Sequence, residues 1–174
     1  FNLPTDWDHH ATPVGFEWTE GARAERIRNV LGHIAAHDLA DSQRLQTDVL
    51  SIPAQTLQRL LTALSPQDAD ARQARAFIPD WNGGMQADSP AAALYGLWWL
   101  KHLRPAVIQA SAPALGDLGD LVGIGHADAV LKHLEGDGAK LAPVMASSLA
   151  AAWREAPALL GPDPGQWRWG QIHQ

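Results

Sequence analysis

The sequence predicts a mainly α protein, an orthogonal helical assembly with extended termini. Three observations predict it. Apolar residues recur at i, i+3, i+4 and i+7 in several segments, and Ser, Asp and Pro stand where helices begin. No run of β-branched residues alternates with polar ones long enough for a strand, except the closing WRWGQIH. The chain has 174 residues, 46% of them hydrophobic and 18% charged, which supports a real core and argues against intrinsic disorder.

Residues 1–18 hold Pro4 and Pro13, place aromatics at Phe1, Trp7, Phe16 and Trp18, and show no helical period, so they form an extended lead-in. A helical domain follows over 19–160, and 161–174 form an irregular or strand-like tail. Thr19 and Glu20 mark a helix start. Ile27, Val30, Leu31 and Ile34 then make one stripe, giving a helix from about Glu20 to Ala36. Asp41 can cap a second helix with Leu45, Val49 and Leu50. Ser51 with Pro53 restarts the pattern through Leu57, Leu60, Leu61 and Leu64, as two helices or as one kinked at Pro53.

Ser65-Pro66 opens a short helix with Asp68 and Asp70 in its first turn and Ala74 and Phe77 on its apolar face. PDWNGGMQADSP is a loop by composition. Ser89 and Pro90 begin AAALYGLWWLKHL, which is apolar nearly all round and therefore a buried central helix that Pro105 ends or kinks. Residues 111–125 and 135–143 are rich in Gly, Pro and Asp, and ADAVLKHL between them makes one short helix. A last helix covers about Ala146 to Ala156, with Leu149 and Trp153 on one face.

Composition excludes several classes of function. No apolar run approaches a membrane span. Thirteen Lys and Arg stand against nineteen Asp and Glu with no basic block, so a phosphate backbone has no electrostatic footprint to meet. With no cysteine, disulfide frameworks, thiolate metal sites and cysteine nucleophiles are excluded together. Neither V-G-I-G-H-A at 122–127 nor G-D-G-A-K at 136–140 fits a nucleotide-binding loop, and both read as turns.

His33 and His37 lie four apart and can face one metal ion, although the Glu of an H-E-x-x-H motif is absent. His9 and His10 are flanked by Asp6 and Asp8 in a loop. Trp98, Trp99 and Trp153 fit core packing better than ligand stacking. Arg23 sits in the first turn of a helix, where the dipole disfavours a cation. Glu17, Glu20 and Glu25 explain it as surface pairing; the functional alternative is a guanidinium aimed at developing negative charge or at the groups that hold it.

The order of short motifs adds a resemblance. FNLPTDW…GFEWTEGARAERI, then RLQTDVLSIPA, then DWNGG…ADSPAAALYGLWWL and finally WRWGQIH are similar to a large piece of the β-chain of the penicillin acylase (penicillin amidase) family, over roughly residues 2–109 and 145–173. The resemblance implies a helical segment excised from an αββα N-terminal nucleophile hydrolase that cleaves acyl amides. It implies that Arg23 supports an oxyanion-stabilising asparagine lying just upstream, with Asn2 slightly late in register. Phe16 and Trp18 match the aromatic lead-in. Gln46, Asp48, Trp81, Gly83, Trp167, Trp169, Gly170 and His173 match mainly structural positions, with Asn82 in place of the usual Asp.

The family's nucleophile, usually serine, is freed at the β-chain N-terminus and uses its own amino group as base. Phe1 has no such atom, so the segment is expected to be inactive alone and to need its partners, the α-chain and the rest of the β-chain, to act on a small amide substrate. No cofactor is expected in this segment. Some family members hold calcium through an acidic residue in this lead-in, where Asp6 and Asp8 both stand. A self-standing helical binding module and a His33/His37 metalloprotein are the rival expectations. The compartment is left open, with export to the periplasm common in the family.

Overall fold

The computed structural model describes residues 21–78, 80–114 and 127–173. Among them the fold is mainly α, and the sole extended pairing is a single antiparallel bridge between Leu50 and Gly84. The helices are α1 (Ala22–Gly32), α2 (Leu39–Gln46), α3 (Ile52–Ala63), α4 (Ala69–Phe77), α5 (Pro90–Leu97), α6 (Arg104–Ser111), α7 (Ala127–Gly136) and α8 (Gly138–Leu160). The expected lead-in and most of 111–125 lie outside the described residues.

Local chemistry sets the starts. Ser51, Asp68 and Ser89 each accept a hydrogen bond from the backbone N–H three residues on, and Pro53 and Pro90 occupy first-turn positions where no N–H is needed. Two expected caps are corrected. Asp38, not Asp41, caps α2, and Asp41 returns the bond to the Asp38 N–H as a reciprocal box. Asp68, not Ser65-Pro66, caps α4. Thr47–Ser51 separates α2 from α3 as two helices.

α1 stops at Gly32 rather than Ala36. No residue of α1 is buried and Leu31 is 42% exposed, so its apolar stripe lacks the packing that would carry a helix past glycine.

The core lies around α8. Leu141, Met145, Leu149, Ala152, Ala156 and Leu160 are buried along it and meet α4, α5, α6 and α7. This helix starts eight residues before the expected Ala146. Pro143 and Pro157 lie within it, both on its exposed side, where water can satisfy the carbonyls that lose a donor.

The central apolar segment is buried as expected, with Trp98 fully and Trp99 94% covered. Pro105 neither ends it nor breaks it. Instead Trp98–Leu103 widens to π winding, in which the Arg104 N–H reaches back five residues to Trp99 O. A Pro ring crowds the carbonyl four residues earlier, here that of Lys101, and the wider turn relieves that contact.

The tail makes two 3₁₀ turns, Pro164–Gln166 and Trp169–Gln171, instead of a strand. Trp167 is fully buried, 5.7 Å from the Phe77 ring and 5.3 Å from Trp153, both edge to face. Trp169 lies against Gly96, and the Gly170 N–H bonds Ala87 O at 2.8 Å. Trp98 and Trp167 are therefore both buried within this chain.

Candidate functional site

Residues 21–51 form an arm with no buried residue, and polar bonds rather than packing fix its position. Arg23 donates from Nη2 to Leu45 O at 2.8 Å and from Nη1 to Asp48 O at 3.2 Å. Both carbonyls belong to the end of α2 and the turn beyond it, where the helix dipole presents partial negative charge. The expected pairing with Glu25 does not form, while Glu17 and Glu20 lie outside the described residues.

Arg26, one turn further along α1, bonds the Asp48 carboxylate in a fork: Nη2 to Oδ2 at 2.6 Å and Nε to both oxygens at 3.2 Å. Asp48 Oδ1 also accepts from the Leu50 N–H at 2.9 Å. The Arg26 guanidinium holds the Asp48 carboxyl below its ordinary range, and the Leu50 N–H and Arg23 act in the same sense against partial burial. Among the described residues, two guanidiniums thus meet one carboxylate and two carbonyls, a net positive balance.

The node is tied in turn to the W-N-G-G loop. The Ser51 N–H bonds Gly83 O and the Met85 N–H bonds Val49 O, each at 2.9 Å, around the Leu50–Gly84 bridge. Gly83 has φ +86°, and a Cβ there would stand 2.8 Å from Gln55 Cγ and 3.2 Å from Ser51 O. Trp81 Nε1 donates to Gly84 O at 2.7 Å. Asn82 Oδ1 accepts from the Gly84 N–H at 2.9 Å, so the Asn that stands for Asp closes this loop rather than capping a helix. Asp48, Trp81, Asn82 and Gly83 come together; Gln46 stays exposed at the end of α2.

Arg26 is the member that sequence reasoning missed. Its signal was present, since it lies three residues from Arg23 in R-A-x-R-I and therefore on the same face.

His33 and His37 do not face each other across a helical turn, because α1 has ended. His33 Nδ1 contacts Asn29 O, and His37 Nε2 contacts Ser42 Oγ at 3.0 Å. Asp6, Asp8, His9, His10, Phe16 and Trp18 lie outside the described residues, and among the described ones no three His, Asp or Glu gather as a metal site. No described helix is long and apolar enough to cross a membrane. The exposed His173 ring lies beside Trp169 with centroids 4.8 Å apart and planes tilted by 40°.

The sequence pattern of the penicillin amidase family matches residues 2–174, running through the 110–144 stretch that the motif resemblance left out. Acyl-homoserine lactone acylase QuiP of Pseudomonas putida is 27% identical over 212 aligned residues, which take in 98% of this chain and 26% of that protein. The chain spans about a quarter of the length of this relative. With the match running from the second residue to the last, this chain belongs to the penicillin amidase family.

Proposed function

We propose that the chain is the helical part of an amide hydrolase of penicillin acylase type, which splits an acyl amide into a carboxylate and an amine. The observation that carries this is the family match along nearly the whole chain. The name of the Pseudomonas relative makes acyl-homoserine lactones the substrate class to try first.

In this proposal the nucleophile and its base stand in other segments of the enzyme, so the helical part is inactive alone. Attack on the carbonyl makes a tetrahedral oxyanion, and catalysis depends on donors already aimed where that charge develops. Arg23 is a positioning residue for the asparagine among those donors. Its two carbonyl bonds and the Arg26–Asp48 fork beside it support such a role, since they fix a positive group on an otherwise lightly packed arm.

The test is hydrolysis of an acyl-homoserine lactone by the whole enzyme, by the 174-residue chain, and by the whole enzyme with Arg23→Ala or Arg23→Lys. Turnover by the whole enzyme only is expected. Arg23→Ala should lower kcat about a hundredfold with little change in KM, the loss typical of a disturbed oxyanion contact. Unchanged kcat in a folded variant removes the role of Arg23, and hydrolysis by the chain alone overturns the division of labour.

A further inference from the structure

A groove of about 400 Å³ opens between α3 and α4, away from the Arg23 node. Leu61, Ile78 and Ala76 give it an apolar wall, and Arg72 and Arg75 stand at its edge with Thr62. Leu61 and Ile78 are buried, while Ala76 is exposed.

The two guanidiniums are held by the backbone. Arg75 donates from Nε to Leu61 O at 2.9 Å and from Nη2 to Thr62 O at 2.8 Å, and Arg72 donates from Nη1 to Gln67 O. Carbonyls fix their place without cancelling a unit charge. Among the described residues neither arginine has a carboxylate within ion-pair distance, because Asp68 and Asp70 face Arg154. Asp68 does feel Arg72 at longer range.

Positive charge fixed beside an apolar hollow recognises a molecule with an anionic head and an apolar body. From this juxtaposition we propose that the α3–α4 groove is a binding site for a medium-chain carboxylate, with the tail on Leu61, Ala76 and Ile78 and the head against Arg75 and Arg72. The site stands whether or not the enzyme is an acylase. Where it is one, the carboxylate released by amide hydrolysis belongs to the class that fits.

The experiment is calorimetric titration of the chain with octanoate, with octylamine and acetate as the matched tail and head alone. Octanoate should saturate one site, while octylamine and acetate should bind at least tenfold more weakly. Ala76→Trp, which fills the groove from an exposed position, should abolish octanoate binding. Arg75→Gln should weaken it about tenfold, as the loss of one charge-assisted contact does. Should Arg75→Gln unfold the chain by uncapping α3, Arg72→Gln reads the same charge from a side chain bonded to a loop carbonyl, with a smaller loss expected. Absence of saturable binding, equal binding of octylamine, or full binding by Ala76→Trp each overturns the proposal. Loss of amidase activity in the whole enzyme bears on none of these readouts.

Discussion

Replacing Gly96 by Ala tests how the tail is fastened to the central helix. A Cβ at that position would stand 2.0 Å from Trp169 Cζ3, 2.7 Å from Cη2 and 2.8 Å from Cε3. Carbon atoms rest at about 3.5–4.0 Å, so roughly 1.5 Å is missing. α5 cannot supply it, since Ala92, Ala93, Leu94, Leu97 and Trp98 are all buried around Gly96. The indole must therefore move, and the Gly170 N–H bond to Ala87 O goes with it. Ala favours a helix over Gly by about 1 kcal/mol. Overpacking costs about 1–3 kcal/mol and the lost bond about 1 kcal/mol, leaving a net loss of about 1–3 kcal/mol. Urea unfolding followed by circular dichroism measures it as a lower midpoint. In a Trp169→Ala background the same substitution meets no ring and should stabilise by up to about 1 kcal/mol. An equal effect in both backgrounds, or a Gly96→Ala protein as stable as the parent, refutes the contact.

Further expectations concern buried and paired polar groups. Because Arg26 and the Leu50 N–H hold the Asp48 carboxyl below 3.8, its contribution is fully present above that value and is lost as pH falls through the depressed folded one. Asp48→Asn should lose about 1 kcal/mol at pH 7, discounted for partial exposure, and show a shallower acid limb in unfolding measured from pH 7 to pH 2; a parallel limb would remove Asp48 as its source. Ser148→Ala takes the acceptor from the fully buried Trp98 indole, 3.0 Å away, and should cost about 1–3 kcal/mol in thermal unfolding. Adding Trp98→Phe to Ser148→Ala should then cost less than Trp98→Phe alone, and strict additivity would count against the bond.

The sequence made the core helices legible wherever cap and period agreed. Ser51 with Pro53 and Ser89 with Pro90 sit on true boundaries, because the N-terminal cap is a local interaction. Pro143 was misleading. It reads as a breaker in one dimension, yet the buried series Leu141, Met145, Leu149 draws the helix across it, and its missing donor faces water. α1 failed in the other direction: a good stripe without a surface to pack on ends early. At the candidate site, Arg23 and Asp48 were visible as residues. Their union was not, because it joins positions 22 to 25 apart through backbone carbonyls, which no side-chain pattern records. The tail turned out helical in short turns because Trp167 and Trp169 each seek a specific hollow, and an alternating pattern alone does not say whether a neighbour strand exists.

The widened winding at Trp98–Leu103 has a consequence for the phase of the rod that it interrupts. Leu94, Trp98, Leu103 and Val107 are fully or almost fully buried, in steps of four, five and four. Each residue of an α-helix advances about 100°, so the middle step, taken at α winding, would turn Leu103 and Val107 toward a different side. The π turn absorbs that surplus, and Arg104 accordingly lies over Trp99, five positions back, at 5.6 Å. The segment therefore behaves like a one-residue insertion whose excess is hidden in pitch. Among relatives, a single-residue gap at this place would leave the same faces buried, whereas a gap one turn to either side would rotate α6 out of the core.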